Sequence, residues 1–177
     1  MSETGLNTTA DIKEYFEKQL DRTNTWLSFA EAKNAGLIAA NLAILSAIIE
    51  FFDEAPVICV ISAVLVIISS LHCLLSFFPN LRKLRRRSNT NTVIGKRNLA
   101  FFGDISRFEC QEQYVNKVIE DYFPQLRPED IGNQVCDLAA EVLINSQITV
   151  QKYTWFKAAL ITNCLALATT IILFIAA

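Results

Sequence analysis

A chain of 177 residues with 52% hydrophobic side chains and a mean hydropathy of +0.31 is too apolar for an ordinary soluble domain. Its net charge of −2 hides an asymmetry between a basic stripe at 82–87 and acidic helices elsewhere. The five cysteines have no metal-ligand spacing, and Cys59, Cys73 and Cys164 fall inside apolar runs, which excludes a disulfide framework and leaves small, polarizable packing residues together with Cys110 and Cys136.

Residues 1–8 are polar and expected to be disordered. From Thr9, a candidate N-cap, Ile12, Phe16, Leu20, Thr23, Leu27 and Ala30 recur at intervals of three and four, a helical stripe. Nothing breaks it before the first apolar run, so the N-terminal segment 1–33 is predicted to continue into a span as one helix from about residue 10 to Phe52. At 1.5 Å per residue it would project roughly 35 Å into the cytoplasm. Residues 34–78 form a predicted transmembrane hairpin, with spans at 34–52 and 55–78 and a tight turn at Asp53-Glu54. Each half suffices, because about 20 apolar helical residues cross roughly 30 Å of hydrocarbon. No pattern of a cleaved secretory signal precedes the hairpin, so its first span is expected to be permanent.

Pro79-Asn80 then leads into Arg82, Lys83, Arg85, Arg86 and Arg87. All 16 Lys and Arg lie before the first span, between the second and third, or in the first turn of the third at Lys157. The opposite side carries only Glu50, Asp53 and Glu54. This places the N-terminus and 79–154 in the cytoplasm, a third span at 155–177, and the C-terminus outside.

Within 79–154, residues 88–98 read as a polar loop and LAFFGDI (99–105) as a strand or buried loop. Ser106 to Glu109 fits a capping box, opening a helix with Phe108, Val115, Val118, Ile119 and Tyr122 on one face and Pro124 at its end. Pro128 suits a first helical position. Ile131, Val135, Leu138, Val142 and Ile148 then carry a helical pattern into Trp155, with Gly132 weakening its start. The predicted fold is an all-α membrane protein. It has three transmembrane helices, the first and third extended into the cytoplasm, and a small helical cap between spans two and three. Neither extension can bury its stripe alone, so the two are expected to pack together.

In the spans, Gly36, Ala40, Ala43 and Ala47 on the first and Ala159, Thr162, Ala166 and Thr169 on the third have spacings that allow close helix approach. Asn41, His72 and Asn163 fall at nearly one depth, a predicted polar layer. It serves either interhelical hydrogen bonding or a polar constriction on a leak pathway. Three helices cannot enclose a water-filled pore alone, so a pore would require a homo-oligomer.

Catalytic machinery is absent from the pattern: the one histidine lies in a span, and no P-loop, G-x-G-x-x-G or H-E-x-x-H occurs. Neither a metal site nor an enzyme activity is expected, and Glu120-Asp121 and Glu129-Asp130 read as solvated helix ends. The basic cluster suits membrane topology and anionic lipid. Lys96, Arg97, Asn98, Phe101 and Phe102 combine donors with stacking faces, as phosphate and a base require.

Three stretches carry a family resemblance: Glu31-Ala-Lys33-Asn34 before span one, Asn98-Leu-Ala-Phe101-Phe102-Gly103-Asp104-Ile105 after span two, and Asn145-Ser146-Gln147-Ile148 with Lys152-Tyr153 before span three. Together they resemble the transmembrane effector family of bacterial Pycsar antiphage systems over roughly residues 25–177. The resemblance implies an inner-membrane effector that responds to cyclic UMP or cyclic CMP made by a cognate cyclase. It impairs the membrane in an abortive infection, with the lipid bilayer as partner, no cofactor and no nucleic acid. Lys33 and Lys152 would supply charge to the phosphate, Asn34, Asn98 and Gln147 would read the pyrimidine edge, and Phe101, Phe102 or Tyr153 would stack. Arg97 and Asp104 complete the candidate nucleotide-binding set. A structural alternative has Lys33 and Lys152 snorkelling to the interface and Phe101 and Phe102 in a core. The competing functions are a membrane-anchored docking protein and a channel subunit, neither with a nucleotide ligand.

Overall fold

The computed structural model of the chain describes residues 9–78 and 97–176, without the side chains of Leu173, Phe174 and Ala176. The basic cluster Arg82, Lys83, Arg85, Arg86 and Arg87, the neighbouring Lys96, residues 1–8 and most of the polar loop lie outside the described residues. The helices are α1 (Thr9–Glu50), α2 (Pro56–Ser76), the single turn α3 (Phe102–Ile105), α4 (Gln111–Tyr122) and α5 (Asn133–Ala176), with a 3-10 turn at Pro128–Asp130. The described residues hold no strand, and α1, α2 and α5 are long and apolar enough to cross a membrane.

The 42 residues of α1 are rich in Ala, Leu, Ile, Glu and Lys, with one internal glycine and no proline, so nothing local interrupts the helix. Its polar N-terminal part carries the pairs Lys13–Glu17 (3.6 Å) and Lys18–Glu14 (2.5 Å) one turn apart. The helix ends two residues before Phe52, and the turn begins there. Phe51 N–H and Phe52 N–H donate three residues back, to Ile48 and Ile49 carbonyls (3.3 Å each), which tightens the chain into the hairpin. Pro56 opens α2 where a missing N–H costs nothing.

Contacts divide the chain into two compact units. One draws on Met1–Leu27 and Asn80–Val150, the other on Ser28–Pro79 and Gln151–Ala177, so α1 and α5 contribute to both. In the first unit, Ile12 and Phe16 of α1 share a core with Leu99, Ile105 and Phe108, with Tyr114, Val115, Val118 and Ile119 of α4, and with Val135, Ala139, Val142 and Leu143 of α5. The segments of α1 and α5 therefore bury their stripes together, as their amphipathicity required, and Asn145 Nδ2 donates to Asn24 Oδ1 (2.9 Å) at the edge.

Three local expectations in this unit are corrected. LAFFGDI holds no strand: its first half is a turn with Leu99 buried, Phe101 is extended (φ −103, ψ 122), and only Phe102–Ile105 make one helical turn. Ser106 opens no capping box, because its hydroxyl donates back to the Gly103 carbonyl (2.9 Å) and closes α3. The next helix starts at Gln111 with Cys110 as its N-cap, and Tyr122 lies half-exposed beside the buried face rather than on it. Where Pro124 and Pro128 were expected to act, α4 ends at Tyr122 and Pro128 opens the 3-10 turn.

The second unit is a three-helix bundle with small and polar residues inside and large apolar ones outside. On α2 the buried positions are Cys59, Ser62, Val66, Ser69, Cys73 and Ser76, alternating steps of three and four. That is the 3.5-residue period of a left-handed coiled seam. The facing positions are Asn34, Leu37, Asn41 and Ile48 on α1 and Lys152, Ala159, Asn163 and Ala166 on α5. Leu42, Ile49, Val57, Ile61, Leu71, Ile161 and Leu165 are exposed. In water such a surface would aggregate; against lipid it is solvated, so this is a membrane protein whose spans contact the bilayer.

The small-residue stripe of the third span behaves as predicted, with Ala159 and Ala166 fully buried. That of the first span does not. Gly36, Ala40 and Ala43 are exposed and a Cβ at Gly36 would meet nothing within 4 Å. The stripe of Asn34, Leu37, Asn41 and Ile48 faces inward instead, since Asn34 and Asn41 cannot be left in hydrocarbon without partners.

Candidate functional site

The polar groups of the bundle form a closed circuit. Asn163 Nδ2 donates to Asn41 Oδ1, and Asn41 Nδ2 donates to both Ser69 Oγ and Ser70 Oγ (3.0 Å each). Ser69 Oγ donates in turn to the Ala159 carbonyl (2.9 Å), back on the helix where the circuit began, and Ser70 Oγ donates to Val66 O (3.0 Å). Both hydrogens of the Asn41 amide and its oxygen are thus engaged, and three helices are held at one level. Lower and upper apolar layers flank it: Leu37, Cys73 and Ala159 on one side, Ile48, Val66 and Ala166 on the other. A second bond, Ser62 Oγ to Thr169 Oγ1 (2.7 Å), ties α2 to α5 further along.

His72 makes none of the circuit's hydrogen bonds, although it lies two residues from Ser70 on α2, about 3 Å along the helix. Its ring stacks on Trp155 (centroids 5.9 Å apart, 29° between planes), about two helical turns from Asn163 along α5. The Nδ1 atom is buried without a hydrogen-bond partner. His72→Phe keeps the stack and removes the unpaired nitrogen. It is expected to leave bundle stability unchanged or to raise it by up to about 1 kcal/mol. Reversible unfolding in bicelles reads this directly, and a marked loss would mean the imidazole makes a bond that matters.

The candidate nucleotide-binding residues fall into two groups, one in each unit. In the bundle unit, Lys33 Nζ lies over the Tyr153 ring (4.9 Å) and is exposed. Lys152 is the one buried charge among the described residues; its Nζ pairs with Glu31 Oε1 (3.0 Å) and sits 5.1 Å from the Phe77 ring centre. Lys152 therefore does not snorkel, whereas Lys33 is free to. Asn34 is fully buried, and its Nδ2 donates to Ala30 O (2.9 Å) and Ser76 Oγ (3.0 Å), while Oδ1 has no partner. What Asn34 still has to offer is an acceptor.

In the other unit, Asn98 and Asp104 hold their own loop together. Asn98 Oδ1 accepts from Ala100 N–H (3.0 Å), Asp104 Oδ2 accepts from Asn98 N–H (3.1 Å), and Asp104 pairs with Arg107 (3.6 Å). The carbonyls of the next residues are claimed from α1 and α4. Tyr15 and Tyr114 hydroxyls both donate to Leu99 O (3.2 and 3.0 Å), and Gln19 Nε2 donates to Ala100 O (3.0 Å). Arg97 lies over the Phe108 ring (4.8 Å). Phe101 is exposed and packs against Phe102 (4.7 Å), which meets Trp26 (5.6 Å), so Phe101 is not a core residue. A Cβ on Gly103 would stand 2.5 Å from Phe101 Cε1, so any larger residue there would make the exposed Phe101 ring shift. Gln147 is half-buried on α5.

Sequence reasoning singled out neither Glu31 as the partner of Lys152 nor the serines of α2. The serines had a legible signal, since Ser62, Ser69 and Ser76 recur every seven residues in an otherwise apolar span. The acidic pairs are helix-end groups as expected. Lys117 bonds to Asp121 (2.8 Å) and Glu120 (3.0 Å), and these bonds, Asp121 first, raise its ammonium pKa. Groups of three or more His, Cys, Asp or Glu placed to hold a metal do not occur among the described residues.

Compared with protein-family models, residues 15–177 match one described as the Pycsar effector protein domain. Comparison with curated proteins and with solved structures gives no match.

Proposed function

The chain belongs to the Pycsar effector family, proteins of antiphage defence, and from that premise we propose that it senses a cyclic pyrimidine mononucleotide and impairs the bacterial inner membrane. The family's domain is a non-enzymatic effector. On this reading the N-terminus and the region between spans two and three face the cytoplasm, following the distribution of Lys and Arg. The nucleotide comes from a cognate cyclase, and the effector works as a homo-oligomer, because three helices are too few to line a pore.

The observation that carries the sensing step is Lys152, a cation buried where α1, α2 and α5 meet and satisfied by one carboxylate. Lys33 adds a second cation over Tyr153, and Asn34 Oδ1 is an acceptor suited to a pyrimidine N–H. The phosphate chemistry of a cyclic nucleotide meets the lysines and its base edge the amide. Binding shifts helix packing only by as much as the ligand favours one arrangement over the other.

Calorimetry on the full chain in detergent tests this with cyclic UMP, cyclic CMP, cyclic AMP and cyclic GMP side by side. Saturable binding of one pyrimidine nucleotide is expected. Its loss in Lys33→Ala would assign it to the bundle group, and its loss in Phe102→Ala to the other. No binding of any of the four by folded protein would sink the reading and favour a membrane-anchored docking protein.

A further inference from the structure

The Lys152–Glu31 pair is lopsided in a way that surface ion pairs are not. The Lys152 side chain is 5% exposed and Glu31 is 48% exposed. The ammonium therefore cannot be rehydrated without moving, whereas the carboxylate can leave into water at little cost. A buried charge stripped of its partner is strongly destabilising, so Lys152 stays a cation at this depth only while an anion sits on it. The choice of carboxylates is narrow. The described residues of this unit hold four acidic side chains, and Glu50, Asp53 and Glu54 lie at the far end of α1. From Glu31 to Glu50 is 19 helical steps, roughly 28 Å. At the near end Lys33, Lys152 and Lys157 outnumber the single Glu31.

We propose that Lys152 is an anion site which the chain's own Glu31 occupies in the unliganded protein, and that a ligand phosphate takes the carboxylate's place. This rests on the nucleotide reading above for the identity of the anion, though not for the site itself. Phosphate oxygens accept from an ammonium as a carboxylate does. The Phe77 ring stays beside the cation through the exchange, holding it in position. Glu31, displaced, becomes a free negative charge on α1 close to the membrane surface. Ligand binding and release of the α1–α5 ion pair are then the same event, which couples sensing to the helices that cross the bilayer. Glu31 acts as an internal competitor that sets the threshold for the signal.

The test uses the full chain in proteoliposomes and follows labelling of Lys152 by an amine-reactive reagent, read by mass spectrometry. Wild type is expected to protect Lys152, Glu31→Gln to expose it, and inorganic phosphate at millimolar concentration to restore protection in the variant. Glu31→Asp, which keeps the charge, should behave as wild type and guards against a folding artefact. Equal labelling of wild type and Glu31→Gln, or labelling of the variant that phosphate leaves unchanged, would overturn the site. Nucleotide affinity is read separately. Glu31→Gln should bind the cyclic pyrimidine nucleotide about tenfold tighter, the factor equivalent to removing about 1.4 kcal/mol of competing ion pair. Phosphate protection with no nucleotide binding would keep the site and discard the nucleotide.

Discussion

Truncating Tyr114 to alanine is expected to cost about 3–5 kcal/mol, enough to unfold the unit built on α4. Tyr114 is fully buried and is the largest such side chain among the described residues; its ring meets Phe16 edge-on (5.5 Å) and Phe108 (5.2 Å). The cavity would open between α1 and α4, where relaxation is limited because Tyr15 and Tyr114 are tied to one carbonyl. Tyr114→Phe separates packing from hydrogen bonding. It should cost only about 1 kcal/mol, since Tyr15 still donates to Leu99 O. Denaturant unfolding followed by circular dichroism measures both, and equal losses in the two variants would contradict this account.

The same pair makes the unit sensitive to alkali. Burial, the largest cause, pushes the Tyr15 hydroxyl from an ordinary phenol value up to about 12, and burial raises Tyr114 further still. A group whose folded pKa is raised stabilises fully below its unfolded value. Here that stability is intact below about pH 10 and is lost as pH climbs towards 12 and beyond, because the unfolded chain gives up the proton first. Titration of unfolding midpoint against pH should therefore fall above about pH 10 in wild type, and less steeply in Tyr114→Phe.

Replacing Asn41 by leucine is expected to destabilise the bundle by about 2–4 kcal/mol. Hydrogen bonds between helices in lipid average about 0.6 kcal/mol and reach about 1.7. Asn41 makes three, to Ser69, Ser70 and Asn163. The change also strands Asn163 Nδ2 in a buried site, which adds a desolvation penalty. Asn163→Leu alone should cost less, because Asn41 would keep both serines, and the double variant should cost less than the sum of the singles. Additive losses in bicelle unfolding would show that the circuit is not cooperative.

Much of the architecture is written locally. Apolar run lengths determined three spans, and the proline at 56 and the acidic turn determined where the hairpin reverses. The heptad-like stripes of α1 and α5 determined that neither stands alone, and residues 15–177 carry the family pattern. These are properties of short stretches, since hydropathy, helix period and breakers act over a few residues.

What no local pattern could supply is which face of each helix turns inward. Gly36, Ala40 and Ala43 have as good a packing spacing as Asn34, Leu37 and Asn41, yet the second set is buried. That choice depends on partners far along the chain, Ser69 and Ser76 on α2 and Asn163 on α5, which satisfy the asparagines in a medium without water. The same dependence put the His72 ring against Trp155 rather than into the hydrogen-bonded circuit. It also turned Ser106 from the start of one helix into the end of another, because its hydroxyl found Gly103 first. At the candidate site, residue type alone named Lys152. Only the assembled helices revealed that it is buried and that Glu31 holds it, since a charge's burial and its counter-ion are facts about neighbours more than a hundred residues away.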